Sequence, residues 1–84
     1  RRMERAARVI AKLGPCTALQ VAGGLFGMEY RFEMLMFANE CAGYARLLQQ
    51  RGVCEIRREQ GLPDTIIPLQ SPAEADKAGQ DEQD

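Results

Sequence analysis

Apolar residues recur along this chain in two rhythms, steps of three and four up to about position 51 and near-alternation after it. Met3, Ala6, Ala7, Ile10 and Leu13 fall at helical spacing and Gly14-Pro15 ends the pattern, which predicts an amphipathic helix over residues 2–13. Thr17-Ala18-Leu19-Gln20 offers a capping box, the threonine hydroxyl accepting from an early backbone N–H and the glutamine reaching back. It starts a short second helix, in which Leu19, Val21, Ala22 and Leu25 can bury, and which ends within a few residues of Gly23, Gly24 and Gly27. From Met28 to Arg51 there is no proline, and Tyr30, Met34, Phe37, Cys41, Ala45 and Leu48 recur at steps of four and three. One long helix fits this stretch, and so do two helices broken near Ala38-Asn39-Glu40, with Asn39 capping the second. Gly52 then sits where a helix most often ends in the left-handed conformation. Val53-Cys54-Glu55-Ile56-Arg57-Arg58 and Asp64-Thr65-Ile66-Ile67-Pro68-Leu69 read as two strands, with Gln60-Gly61-Leu62-Pro63 as the turn between them.

Composition narrows this picture. Eighty-four residues make one small domain with a modest core, and 45% apolar and 27% charged residues are ordinary for a globular protein. No apolar run reaches the roughly 18 residues of a membrane span, and no secretory leader follows Arg1-Arg2-Met3, so a cytoplasmic protein is expected. The segment 71–84, SPAEADKAGQDEQD, has five acids, one lysine and no large apolar side chain, which predicts a disordered acidic tail behind a folded domain of residues 1–70. The whole chain holds 12 acids and 11 bases, so removing the tail leaves seven acids and ten bases, a net of +3 over residues 1–70. That sign permits contact with phosphate. Arg2, Arg5, Arg8 and Lys12 lie largely on the outer face of the first helix, where they either meet phosphate or simply solvate it.

Candidate chemistry is sparse. Cys16, Cys41 and Cys54 are odd in number and widely spaced, with no CxxC pair and no histidine in the chain, so neither a disulfide framework nor a metal site is expected and the thiols are assigned to the core. Without histidine there is no ordinary general base near neutral pH, so an enzyme is disfavoured and no cofactor is expected. The Met/Phe-rich stripe of residues 28–37 is wider than one buried face needs; its surplus is either ordinary core or a seam with a second copy or a partner.

The stretch Thr17 to Leu69 resembles the winged helix-turn-helix domain of bacterial and archaeal transcription regulators. Thr17-Ala18-Leu19-Gln20-Val21-Ala22 resembles that family's second helix and Leu25-Phe26-Gly27-Met28 its turn. Arg46-Leu47-Leu48-Gln49-Gln50-Arg51-Gly52-Val53 resembles the end of the recognition helix, and Glu55-Ile56-Arg57-Arg58 with Thr65-Ile66-Ile67-Pro68-Leu69 the two wing strands. The resemblance implies a mainly α fold with a small β-hairpin, three or four helices plus a two-stranded wing. It implies duplex DNA as the partner of a transcription regulator. One module this small covers too little DNA for tight binding, so a homodimer that represses by obstructing a palindromic operator is expected. No room is left for a ligand-binding domain, so no small-molecule ligand is expected. Gly27 and Gly52 lie about two helical turns further apart than the family's corresponding glycines, so the recognition helix is longer or a helix is inserted.

If the first residues after the turn, Glu29-Tyr30-Arg31-Phe32-Glu33, approached DNA, their two carboxylates would oppose phosphate. The expected reading surface is therefore the later half of the segment, Asn39, Gly43, Tyr44, Arg46, Gln49 and Gln50. Asn and Gln pair with adenine and Arg with guanine, and a glycine lets the backbone come close. Arg57 and Arg58 complete the candidate set; in an alternating strand they point to opposite faces, so one of them projects from the wing and the other meets solvent or the body of the domain. The alternative function is a winged-helix interaction module docking through the Met/Phe-rich surface of residues 28–37.

Overall fold

The computed structural model describes residues 2–27 and 33–81. In chain order it holds α1 (Arg2–Leu13), α2 (Ala18–Phe26), α3 (Met34–Gln50), β1 (Cys54–Arg57), β2 (Thr65–Pro68) and α4 (Pro72–Asp81). The fold is thus mainly helical with one two-stranded antiparallel sheet.

Helix α1 buries Ala6, Ala7 and Ile10 of the face its spacing predicts, adds Ala11 and leaves Leu13 exposed, and it stops where the Gly14 N–H donates to the Ile10 carbonyl at 3.0 Å. Helix α2 begins on the expected capping box, with Gln20 N donating to Thr17 Oγ1 at 3.2 Å and Thr17 N donating to Gln20 Oε1 at 2.8 Å. It runs through Gly23 and Gly24 before ending at Gly27. Gly24 has a packing reason to lack a side chain, because a Cβ there would sit 2.7 Å from Val9 Cγ1 on α1.

Of the two readings for the long middle segment, the single helix is the one observed from Met34 on. Asn39 lies inside α3, not at a cap, and Cys41, Ala45 and Leu48 form the buried face. The Met28–Phe32 part of the turn and of the Met/Phe-rich stripe lies outside the described residues. Helix α3 ends in a Schellman motif: Gly52, at φ +76°, donates to the Gln49 carbonyl at 3.0 Å and Val53 to the Leu48 carbonyl at 3.0 Å.

The hairpin pairs Cys54 with Pro68, Glu55 with Ile67, Ile56 with Ile66 and Arg57 with Thr65. Cys54 and Ile66 are buried, while Glu55 and Arg57 face out. The link between α1 and α2 stitches onto the free edge of β2, where the Cys16 N–H donates to the Ile66 carbonyl at 2.9 Å and the Ile66 N–H donates back to the Cys16 carbonyl at 2.6 Å. On the inner side, the Cys54 thiol donates to the Ala45 carbonyl of α3 at 3.5 Å. A lone hairpin is marginal in water; this one is tied to the helices from both sides. Ile10, Val21, Cys41 and Cys54 are the largest fully buried side chains of the core beneath it, and burying an aliphatic of this size stabilises the fold by about 1.5–3 kcal/mol.

The expectation of a disordered tail fails over residues 72–81. Ser71 and Glu74 form a second capping box, Glu74 N donating to Ser71 Oγ and Ser71 N donating to Glu74 Oε1, both at 3.1 Å, with Pro72 at the first helical position. The resulting α4 lies against α1 and buries Ala75 to 2% exposure, so the folded body extends past residue 70. The segment lacks a large apolar anchor, but an alanine is enough where a helix backbone can approach closely. Residues 82–84 of the tail lie outside the described residues.

Candidate nucleic-acid interface

Helix α3 separates its two faces cleanly. At about 100° per residue, Asn39, Gly43, Arg46 and Gln50 fall opposite the buried Cys41, Ala45 and Leu48, in one outward row. Asn39, Arg46 and Gln50 are exposed, and Gln49 is exposed on the flank of the row. Nothing in the fold requires a glycine at 43, since a Cβ there would meet only Arg46 Nη2, at 3.8 Å. A glycine inside a helix costs about 1 kcal/mol relative to alanine, and at Gly43 no packing gain offsets it.

Tyr44 is not in that row. It packs against the core, and its hydroxyl donates to Glu40 Oε2 at 2.6 Å. Arg2 Nη1 donates to the same oxygen at 3.0 Å, and the Arg2 guanidinium stands 5.3 Å from the centre of the Phe26 ring, which stacks on Phe37 at 4.1 Å. The cluster joins the start of α1, the end of α2 and the middle of α3. Its electrostatics follow from those bonds: the Tyr44 hydrogen bond, then Arg2, holds the Glu40 carboxyl below its usual range against a burial effect that would raise it, and Glu40 pushes the Tyr44 hydroxyl up. The signal for this cluster was the i, i+4 spacing of Glu40 and Tyr44, outweighed in the sequence by tyrosine's usefulness at an interface.

The two arginines that do come together are Arg46 and Arg58. With Ala18 at the start of α2, Ala42 and Ala45 on α3, and Ile56, Asp64 and Ile66 on the hairpin, they line a hollow of about 30 Å³. Such a volume holds about one water and no organic ligand. The hollow marks a seam at which α3, the hairpin and the first residue of α2 share one surface. Arg58 Nε stands 3.5 Å from Asp64 Oδ2, a pair exposed enough to be readily exchanged for another anion. Arg57 is exposed on the opposite side of the strand, with Glu55. The sequence puts Asp64 at the head of the second strand without assigning it a role, and the hairpin places it against Arg58.

All three cysteines are free and buried. Burial pushes the Cys16 and Cys41 thiols up to about 11 and raises Cys54 as well, so none is an activated nucleophile. Among the described residues no three His, Cys, Asp or Glu side chains gather as a metal site, and no helix is long and apolar enough to cross a membrane. Compared with protein-family models, curated proteins and solved structures, the chain matches none.

Proposed function

We propose that this chain is a winged helix-turn-helix domain that binds duplex DNA in a prokaryotic cytoplasm and represses transcription by occupying its operator. The observation that carries the reading is the convergence of Arg46, from α3, and Arg58, from the hairpin, on one surface. The order of three helices and a hairpin, with the α1–α2 link paired to β2, supports it. In this reading α3 enters the major groove. Asn39, Arg46 and Gln50 meet base edges, Gly43 lets the helix backbone approach, and Gln49 flanks them. Arg58 holds a phosphate or enters the minor groove, exchanging Asp64 for the DNA. Arg57 stays outside the contact, and Tyr44 acts through Glu40 to hold α3 in place. One such module covers little DNA, so the reading includes a homodimer on a two-fold site.

Anisotropy titration with random and operator-selected duplexes at low and moderate salt tests this. Affinity should fall steeply with salt. Arg58→Ala should weaken all sequences alike and reduce the salt slope by about 1, whereas Arg46→Ala should cost about 1–3 kcal/mol and relax preference at one base pair. Absence of binding at low salt would sink the proposal. One observation favours a second reading, a protein-interaction module: Leu35 and Met36, at the start of α3, are 73% and 69% exposed. In that case Leu35→Lys/Met36→Lys abolishes partner or self-association seen by sedimentation, and the arginine variants leave every function unchanged.

A further inference from the structure

We propose that the groove between α1 and α2 is a second binding site, one that holds the phosphodiester backbone of a nucleic acid without reading its sequence. Arg5, Arg8 and Lys12 follow one another at three and four residues on α1 and, with Val9, Gly24 and Leu25, line an open hollow of about 390 Å³. None of these residues lines the Arg46–Arg58 hollow. The groove owes its shape to the close approach at Gly24, where any side chain would run into Val9.

Among the described residues, three cations and no carboxylate line it. Arg2 pairs with Glu40 and Arg58 with Asp64, both outside this groove. Arg5 Nη2 donates to the Leu25 carbonyl near the end of α2, at 3.4 Å, which sets its guanidinium across the groove. Arg8 is half-buried, and its Nε is closed off from water with no hydrogen-bond acceptor among the described residues. A partly desolvated cation gains more from an added anion than a fully hydrated one does. Residues 5 to 12 span about 10 Å of helix at 1.5 Å per residue, close to three nucleotide steps at about 3.4 Å each. The groove is open along that length, which suits a run of phosphates better than one enclosed ion.

The proposal shares with the preceding reading only the choice of a phosphate polymer, and the test separates the two. Binding of a labelled random-sequence duplex is titrated over a range of salt for the wild type, Arg5→Gln/Arg8→Gln/Lys12→Gln, Arg46→Ala/Arg58→Ala and the combined variant. At about 0.9 in slope per phosphate contact, the α1 triple variant should lose 2 to 3 units of slope, and its loss should add to that of the α3–hairpin variant. Arg5→Gln/Lys12→Gln, which leaves half-buried Arg8 in place, should lose about two-thirds as much, so a folding defect in the triple variant does not decide the outcome. An unchanged slope in that double variant overturns the proposal, whatever the Arg46 and Arg58 substitutions do. Tighter capture of poly-glutamate than of the duplex, lost in the same variant, also overturns it and assigns the groove to an acidic peptide. If only the α1 variants lose affinity, the groove stands and the α3 reading fails.

Discussion

At the scale of single residues, the exposed row on α3 and the buried thiols offer the most direct tests. Gly43 is the most direct probe of the row, because alanine fits there with only Arg46 Nη2 nearby. Gly43→Ala should raise stability by up to about 1 kcal/mol while weakening DNA binding, measured by thermal melting and by titration; higher stability with unchanged affinity would remove Gly43 from the interface. The Tyr44→Phe variant should let Glu40 titrate at higher pH, since the Tyr44 hydrogen bond is the main reason its carboxyl is held down; an NMR titration of Glu40 reads this directly. The buried thiols set the alkaline limit. Cys16 and Cys41 rise from 9.0 to about 11 on folding, so their burial stabilises the fold fully below pH 9 and that contribution is lost as pH climbs towards 11. Denaturant midpoints should therefore fall between pH 9 and 11, and thiol reagents should react slowly with the native protein.

At the scale of elements, caps and close approaches decide boundaries. Both capping boxes follow the same S/T-x-x-E/Q pattern, and the first was legible at Thr17-Ala18-Leu19-Gln20 because an apolar run follows it. The second, at Ser71-Pro72-Ala73-Glu74, heads a segment so polar that composition outweighed the cap. Ser71→Ala should cost α4 about 1 kcal/mol, seen as faster amide exchange in residues 74–77 with α1 unaffected. The contact between α1 and α2 is equally specific. Gly24→Ala forces its Cβ onto Val9, a stiff β-branched side chain, and should destabilise the protein by about 1–3 kcal/mol; Val9→Ala in the same chain should restore most of the loss. A Gly24→Ala protein as stable as the wild type would show that the two helices can move apart freely.

At the scale of the molecule, α4 changes what counts as the domain. Its docking on α1 covers Ala75 to 2% exposure, and Ala75→Asp should release it, lowering both helix content by circular dichroism and the melting temperature. The cationic surfaces lie apart, with the Arg46–Arg58 seam where α3 meets the hairpin and the Arg5–Arg8–Lys12 groove where α1 meets α2. A net charge of -1 for the whole chain conceals this arrangement, because the acids are concentrated towards the C-terminus.

The sequence by itself determined the first two helices, the helical character of the segment before Gly52, the two strands and their turn, and the burial of the cysteines. Each of these follows from local signals, namely apolar period, capping chemistry and glycine stops, that act within a few residues. Tertiary structure alone decided the rest. Whether Asn39 opens a helix or lies inside one, whether Tyr44 faces solvent or Glu40, which of Arg57 and Arg58 shares a surface with Arg46, and whether a polar segment finds a helix to dock on are questions about neighbours far along the chain. Periodicity places a side chain on a face of its own element; packing decides what that face meets.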